Sequence, residues 1–157
     1  MAELSNQIIA VDAVDKAIIR ALQVDGRTSY ADLAAEVGLS APAVRQRMQR
    51  LTDSGLLQIV AVTDPLKLGL PVMAMVGINV DGDIKSVADQ LGMIDAVVYV
   101  VVTSGSFDLL VEVVCADMAE LFSVVNDRLK VVPGVQAAES FVYFDIHTHR
   151  FTWDLPT

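Results

Sequence analysis

Between Ser29 and Leu57 the chain reads SYADLAAEVG LSAPAVRQRM QRLTDSGLL, two short helical patterns joined by Gly38-Leu39-Ser40. So short a connection leaves the second helix nowhere to go but across the first. Gly38 suits the left-handed position that ends one helix, and Ser40 can cap the next, with Pro42 tolerated in its first turn. Val44, Met48 and Leu51 give the second helix one narrow apolar stripe, and Ser54-Gly55 ends it. Between Ala41 and Thr52 this helix carries three arginines, two glutamines and no acid. This is the layout of a helix-turn-helix whose second helix enters a DNA major groove.

The neighbouring residues complete a small domain. Asp12 can cap a first helix, with Asp15 in its first turn and Val14, Ile18 and Leu22 along its buried face; Asp25-Gly26 stops it. Ser29 and Asp32 form an S-x-x-D box ahead of Leu33 and Val37. Leu57 to Thr63 (LQIVAVT) reads as a strand, so the order is that of a winged helix-turn-helix, expected over 1–63. The segment 64–71 (DPLKLGLP) holds two prolines and a glycine and marks a linker, after which the period changes from helical to strand-like.

Over 72–157 the pattern is βαββαβ. Val72 to Val80, Ala96 to Thr103, Phe107 to Cys115 and Val135 to Thr148 read as strands. Ile84, Val87, Ala88 and Leu91 mark one helix face. Asp117 and Glu120 cap a second helix, whose face is Leu121, Phe122, Val125 and Leu129. The expected class is α+β, with a ferredoxin-like antiparallel sheet following the helix-turn-helix. Two helices cover only one face of a four-stranded sheet. Yet the middle strands are apolar at nearly every position, so a symmetric partner sheet is the natural cover and a homo-oligomer is expected.

On the second helix of the turn, setting Val44 at 0° puts Pro42, Gln46 and Gln49 at about 140–200°, facing outward. Arg45 and Arg50 flank them, and Arg47 falls beside the core. Arg45, Gln46 and Gln49 are therefore the candidate base-edge readers, since arginine matches guanine O6/N7 and glutamine adenine N6/N7. Arg50 is expected at a phosphate and Arg47 in a structural ion pair. Ser29, Tyr30 and Ser40 stand at helix N-termini and can donate to phosphates. With Ala41 and Pro42 in the first turn, they complete the expected interface with double-stranded DNA.

The charge is uneven. The first 64 residues hold 6 Lys+Arg and 8 Asp+Glu, whereas the remainder holds 5 and 12. An acidic chain is compatible with local cations meeting phosphates, but it argues against a non-specific coating protein. Mean hydropathy is high at +0.51, yet no apolar run approaches the roughly 18–20 residues of a membrane span. No signal peptide is visible, and Cys115 is single, so a reduced, cytoplasmic setting is expected. No Gly-rich phosphate loop, G-x-S-x-G or HExxH is present, which points away from an enzyme and a cofactor. Asp145, His147 and His149 alternate and could share one strand face. Without an evident fourth ligand they read as an exposed strand end, and no metal is expected.

These residues resemble a known family. DGRTSYADLAAEVGLSAPAVRQRMQRLTDSGLL is similar to the N-terminal domain of the Lrp/AsnC (leucine-responsive, feast-or-famine) regulators. VDAVDKAIIRALQVDGR, TSGSFDLLVEV and VVPGV fall in the family's order. The resemblance covers essentially the whole chain. It implies a transcription regulator whose C-terminal domain dimerises through its sheets and binds small effectors, typically amino acids, between dimers, often in eight-subunit assemblies. It also implies an effector site at Thr103, Ser104, Gly105, Ser106, Phe107 and Asp108, with Met118, Phe141, Val142 and Tyr143. Gly105 could let backbone N–H groups meet an α-carboxylate, and Asp108 could hold an α-ammonium. Taken alone, Ser-Gly-Ser is equally an ordinary β-turn. Ser106 stands where many members carry an acid, a difference that bears on effector charge. Two rivals use the same residues: an architectural DNA-wrapping protein that needs no effector, and a metabolite-binding module or enzyme with a vestigial DNA domain.

Overall fold

A computed structural model describes residues 10–148, which divide into two compact units, one up to Val62 and one spanning Thr63–Thr148. In the first unit the helices begin where side chains satisfy their free N–H groups. α1 (Ala13–Val24) opens with a reciprocal capping box: the Asp15 N–H donates to Asp12 Oδ1 at 2.8 Å, and the Asp12 N–H to Asp15 Oδ2 at 3.1 Å. α2 (Tyr30–Val37) is capped by Ser29, which accepts from the Asp32 N–H. α3 (Ala41–Asp53) is capped by Ser40. Between α2 and α3 the chain turns on Gly38, at φ 68° and ψ 32°. In this left-handed conformation a Cβ is disfavoured, and it lets both the Gly38 and Leu39 N–H groups donate to the Ala34 carbonyl. Ile18, Leu22, Leu33, Ala34, Val44 and Met48 form the core that locks the three helices together.

The expected wing strand is absent. Leu57–Thr63 has no regular secondary structure. A strand exists only when its backbone groups are paired, and this segment takes part in no sheet among the described residues.

The second unit opens with a 3₁₀ turn at Leu66–Leu68. Then come β1 (Val72–Val80), α4 (Ile84–Leu91), β2 (Val97–Val102), β3 (Leu109–Cys115), α5 (Met118–Ser123) continuing as a wider π-type turn over Val124–Leu129, and β4 (Val135–Val142). The sheet is antiparallel in the order β2-β3-β1-β4, the ferredoxin-like arrangement expected. Alternation divides its faces. Ala74, Val76, Ile78, Leu109, Val111, Val113 and Cys115 are buried with Val87, Leu91, Leu121, Val125 and Leu129 from the helices. The opposite face carries Met75, Gly77, Leu110, Glu112, Tyr99 and Phe141, related by direct pairing or by two-residue steps along a strand. Tyr99 and Phe141 are exposed there.

Three sequence expectations change. Phe122 is exposed rather than part of the core face. Phe107 precedes β3 instead of starting it. β4 ends at Val142, not Thr148, so Asp145 and His147 lie beyond the strand. The alternation that put them on one face does not apply there, and His149 lies outside the described residues.

Candidate nucleic-acid interface and effector site

The outer surface of α3 is arranged by what its inner surface buries. Val44, Met48 and Leu51 face the core, so Pro42, Arg45, Gln46 and Gln49 face solvent. They line two open clefts along the helix, with Leu39, Ala43, Arg47, Arg50 and Asp53. Among the described residues, no hydrogen bond or ion pair engages the side chains of Arg45, Gln46 or Gln49. That leaves five guanidinium N–H donors and two carboxamides available on one edge. Ser40 accepts from Ala43 N–H, so its hydroxyl proton remains to be given. Tyr30 is exposed at the start of α2.

Two expected phosphate contacts are already occupied. The Ser29 hydroxyl donates to Asp32 Oδ2 at 2.6 Å, which uses its single proton. Arg50 Nη2 pairs with Asp15 Oδ2, and its Nη1 donates to the Ala10 carbonyl at 3.3 Å. Arg47 takes the structural role expected of it, with Nη1 2.6 Å from Asp12 Oδ2 and 2.8 Å from Asp15 Oδ1. Sequence reading did not find Asp15 as their anchor, because the partners lie 32 and 35 positions away. Burial pushes the Asp15 carboxyl up, but hydrogen bonds from Arg50 and Arg47 outweigh it and hold it below the ordinary value. Asp12 is lowered by the Asp15 N–H and then by Arg47.

In the second unit the turn Thr103–Asp108 is pinned to β1. Asp108 N–H donates to the Ile78 carbonyl, Val80 N–H donates to Asp108 Oδ2 at 2.8 Å, and Asn79 Nδ2 donates to the Ser106 carbonyl at 2.9 Å. Thr103 closes the turn, its hydroxyl donating to the Phe107 carbonyl and its N–H to the Asp108 carbonyl. Ser104, Gly105 and Ser106 are exposed at the tip, and the space around Gly105 is open. The Phe107 ring packs edge-on against Phe141, with centroids 6.0 Å apart and planes at 73°.

The remaining effector-site residues are not all brought to this corner. Val142 pairs with Ala74 and packs on the helix-covered core, the face opposite Phe141, because neighbours in a strand point oppositely. Tyr143 donates to Glu112 Oε1 at 2.9 Å, and burial followed by Glu112 pushes its hydroxyl up to about 12. Met118 begins α5 beyond the far end of β3 from the turn. The seven residues of β3 at about 3.3 Å each put roughly 20 Å between them.

The AsnC-type helix-turn-helix domain model matches residues 11–52, and the Lrp/AsnC ligand binding domain model matches residues 73–152. This chain belongs to the Lrp/AsnC family. Two curated relatives extend the match. The HTH-type transcriptional regulator FL11 of Pyrococcus horikoshii is 29% identical over 150 residues, covering 94% of this chain and 97% of its own. Regulatory protein AsnC of Haemophilus influenzae is 29% identical over 135 residues, covering 84% and 90%. A transcriptional regulator of Neisseria meningitidis solved as its L-Met complex shares the fold, with a TM-score of 0.81 at 24% identity, covering 92% of this chain and 97% of that one. As an Lrp/AsnC protein the chain is a transcriptional regulator with a DNA-binding helix-turn-helix and a ligand-binding domain. Among its described residues no helix is long and apolar enough to cross a membrane.

Proposed function

We propose that this Lrp/AsnC protein acts in the cytoplasm as a homo-oligomeric, sequence-specific regulator whose DNA affinity or assembly is set by an amino acid. The outer edge of α3 carries the DNA half of this reading. Arg45, Gln46 and Gln49 are exposed and uncommitted on a helix whose opposite side is locked into the core. Arg45 would read guanine and the glutamines adenine, while Ser40, Tyr30 and the backbone at Ala41 and Pro42 position the helix against phosphates. Each dimer presents two such edges to a pseudo-palindromic site.

The open sheet face supports the dimer. Tyr99 and Phe141 are 54% and 45% exposed beside Met75 and Leu110, and a second copy of the same sheet covers such a face symmetrically. Assembly of dimers to an octamer is the further step. The turn supports the effector half: Gly105 is open to approach, and Phe107 and Phe141 offer an apolar corner beside it. The L-Met complex of the Neisseria regulator supports an amino acid as the class of ligand. Because Met118 lies at the other end of β3, a site using both Met118 and the turn must draw them from different copies.

The test is operator affinity, found first by footprinting upstream of the protein's own gene, then measured for Arg45→Ala and across the twenty amino acids. Arg45→Ala is expected to cost about 1–3 kcal/mol and to relax sequence preference. At least one amino acid must change DNA affinity or oligomer size, and by linkage DNA must change its affinity in turn. An effector-independent, architectural role is the second reading. It is favoured by the internal bonds that already engage Thr103 and Asp108, and an unchanged response to every amino acid would establish it.

A further inference from the structure

One buried charge in the helix-turn-helix unit has no part in reading DNA directly, yet it touches the helix that does. Asp15 is 1% exposed. One of its oxygens takes Arg47 and the other takes Arg50. These arginines stand three residues apart on α3, as neighbours on one side of the helix. Asp12 gives Arg47 a second acceptor, and the capping box holds both aspartates to the start of α1. The N-terminus of α1 is thus a two-carboxylate bracket closed on two of the three arginines of α3.

We infer that Asp15 is a positioning residue for DNA recognition: it fixes the rotation of α3 about its axis and withdraws Arg47 and Arg50 from the phosphate-neutralising set. Arg45 then remains as the α3 arginine that meets the duplex as a free cation. The inference rests on the DNA-binding reading above. Rotation matters because base readout is angular. Side-chain atoms about 6 Å from a helix axis move about 2 Å when the helix turns by 20°, enough to break a bidentate pair. The charge matters because each arginine on a phosphate adds about 0.9 to the slope of log K against log salt. Holding two arginines back lowers sequence-independent affinity and leaves discrimination to Arg45, Gln46 and Gln49. Arg50 remains 48% exposed, within reach of solvent, so the salt slope is the readout that separates a held arginine from a phosphate-bound one.

The experiment measures binding to an operator duplex and to a scrambled duplex between low and moderate salt, using the full chain. For Asp15→Asn the slope is expected to steepen by about 0.9 for one released arginine and about 1.8 for two. The operator-to-scrambled affinity ratio should fall, and Asp15→Glu should restore both toward wild type. A purely structural role would lower affinity for both duplexes without steepening the slope, and that outcome overturns the inference. If Asp15→Asn does not fold by circular dichroism, Arg50→Ala decides. A held arginine changes the slope by less than half of about 0.9, and a full loss of about 0.9 overturns the inference. A loss of operator preference in Arg45→Ala beside an unchanged slope in Asp15→Asn sinks the inference and leaves the DNA-binding reading standing. A wild-type chain that binds neither duplex sinks both.

Discussion

The ring of Phe107 occupies the space that a side chain at Gly77 would need: a Cβ there would lie 2.6 Å from the ring's Cγ and Cδ2. Gly77 sits in the centre of β1, paired with Leu110 on one side and Glu139 on the other. Its bare backbone is what lets Phe107 fold back over the sheet and reach Phe141. A glycine in a strand interior otherwise weakens the strand, so its value here is the close approach.

Gly77→Ala is therefore expected to destabilise the sheet domain by about 1–3 kcal/mol through overpacking. By lifting Phe107 from Phe141 it should also weaken any effector held at the turn. Thermal unfolding and calorimetric titration with the effector found by screening check the two effects. Unchanged values in both would show that Phe107 has room to move aside.

Asp108 separates stability from charge. Its Oδ2 accepts from Val80 N–H, a bond that an asparagine oxygen can keep. Asp108→Asn should leave the unfolding free energy within about 0.5 kcal/mol of wild type. If the carboxylate also holds an α-ammonium, the same variant loses about 1.5–3 kcal/mol of effector affinity, which is the scale of a charged hydrogen bond. Wild-type affinity in Asp108→Asn would assign Asp108 to the turn alone.

The aspartate bracket predicts acid sensitivity. Asp12 and Asp15 are both held below the free value of 3.8. As pH falls the unfolded chain takes up their protons first, so stability falls with it. Their contribution is complete above the unfolded value near 3.8 and disappears as pH drops through the lower folded values. Melting of the helix-turn-helix unit should be insensitive to this pair from about pH 8 to 5 and decline below about pH 4. Asp15→Asn, already neutral, should show a shallower acid decline; an equally steep one would place the acid transition elsewhere.

Tyr143 gives the opposite sign. Its hydroxyl is raised to about 12 by burial and by Glu112, so its contribution is intact at neutral pH and lost as pH climbs through that value. Absorbance near 295 nm, compared with Tyr143→Phe, should show this tyrosine ionising well after one with the ordinary value of 10. Titration alongside ordinary tyrosines would mean that the Glu112 bond does not persist in solution.

The local features were legible because their causes are local. Asp12, Ser29, Ser40 and Asp117 each accept from an N–H within three residues, and Gly38 takes the left-handed turn that its position requires. The outward edge of α3 followed from the spacing of Val44, Met48 and Leu51, which are all buried. Where sequence reading went further than the structure, the missing ingredient was a partner. Leu57–Thr63 has the composition of a strand but no neighbour to pair with among the described residues, and β4 stops at Val142, where its ladder with β1 ends.

The sequence by itself determined the three helices of the first unit, the βαββαβ order of the second, the outward edge of α3 and the membership in a family, because periodicity, caps and motifs act over a few residues. Tertiary structure decided which polar groups remained free. Asp15 meets Arg47 and Arg50 across more than thirty positions, Phe107 finds Gly77 across thirty, and Tyr143 finds Glu112 across 31. Spacing along a chain does not encode such meetings. They arise when separate elements pack on a shared core and their remaining donors and acceptors must satisfy one another.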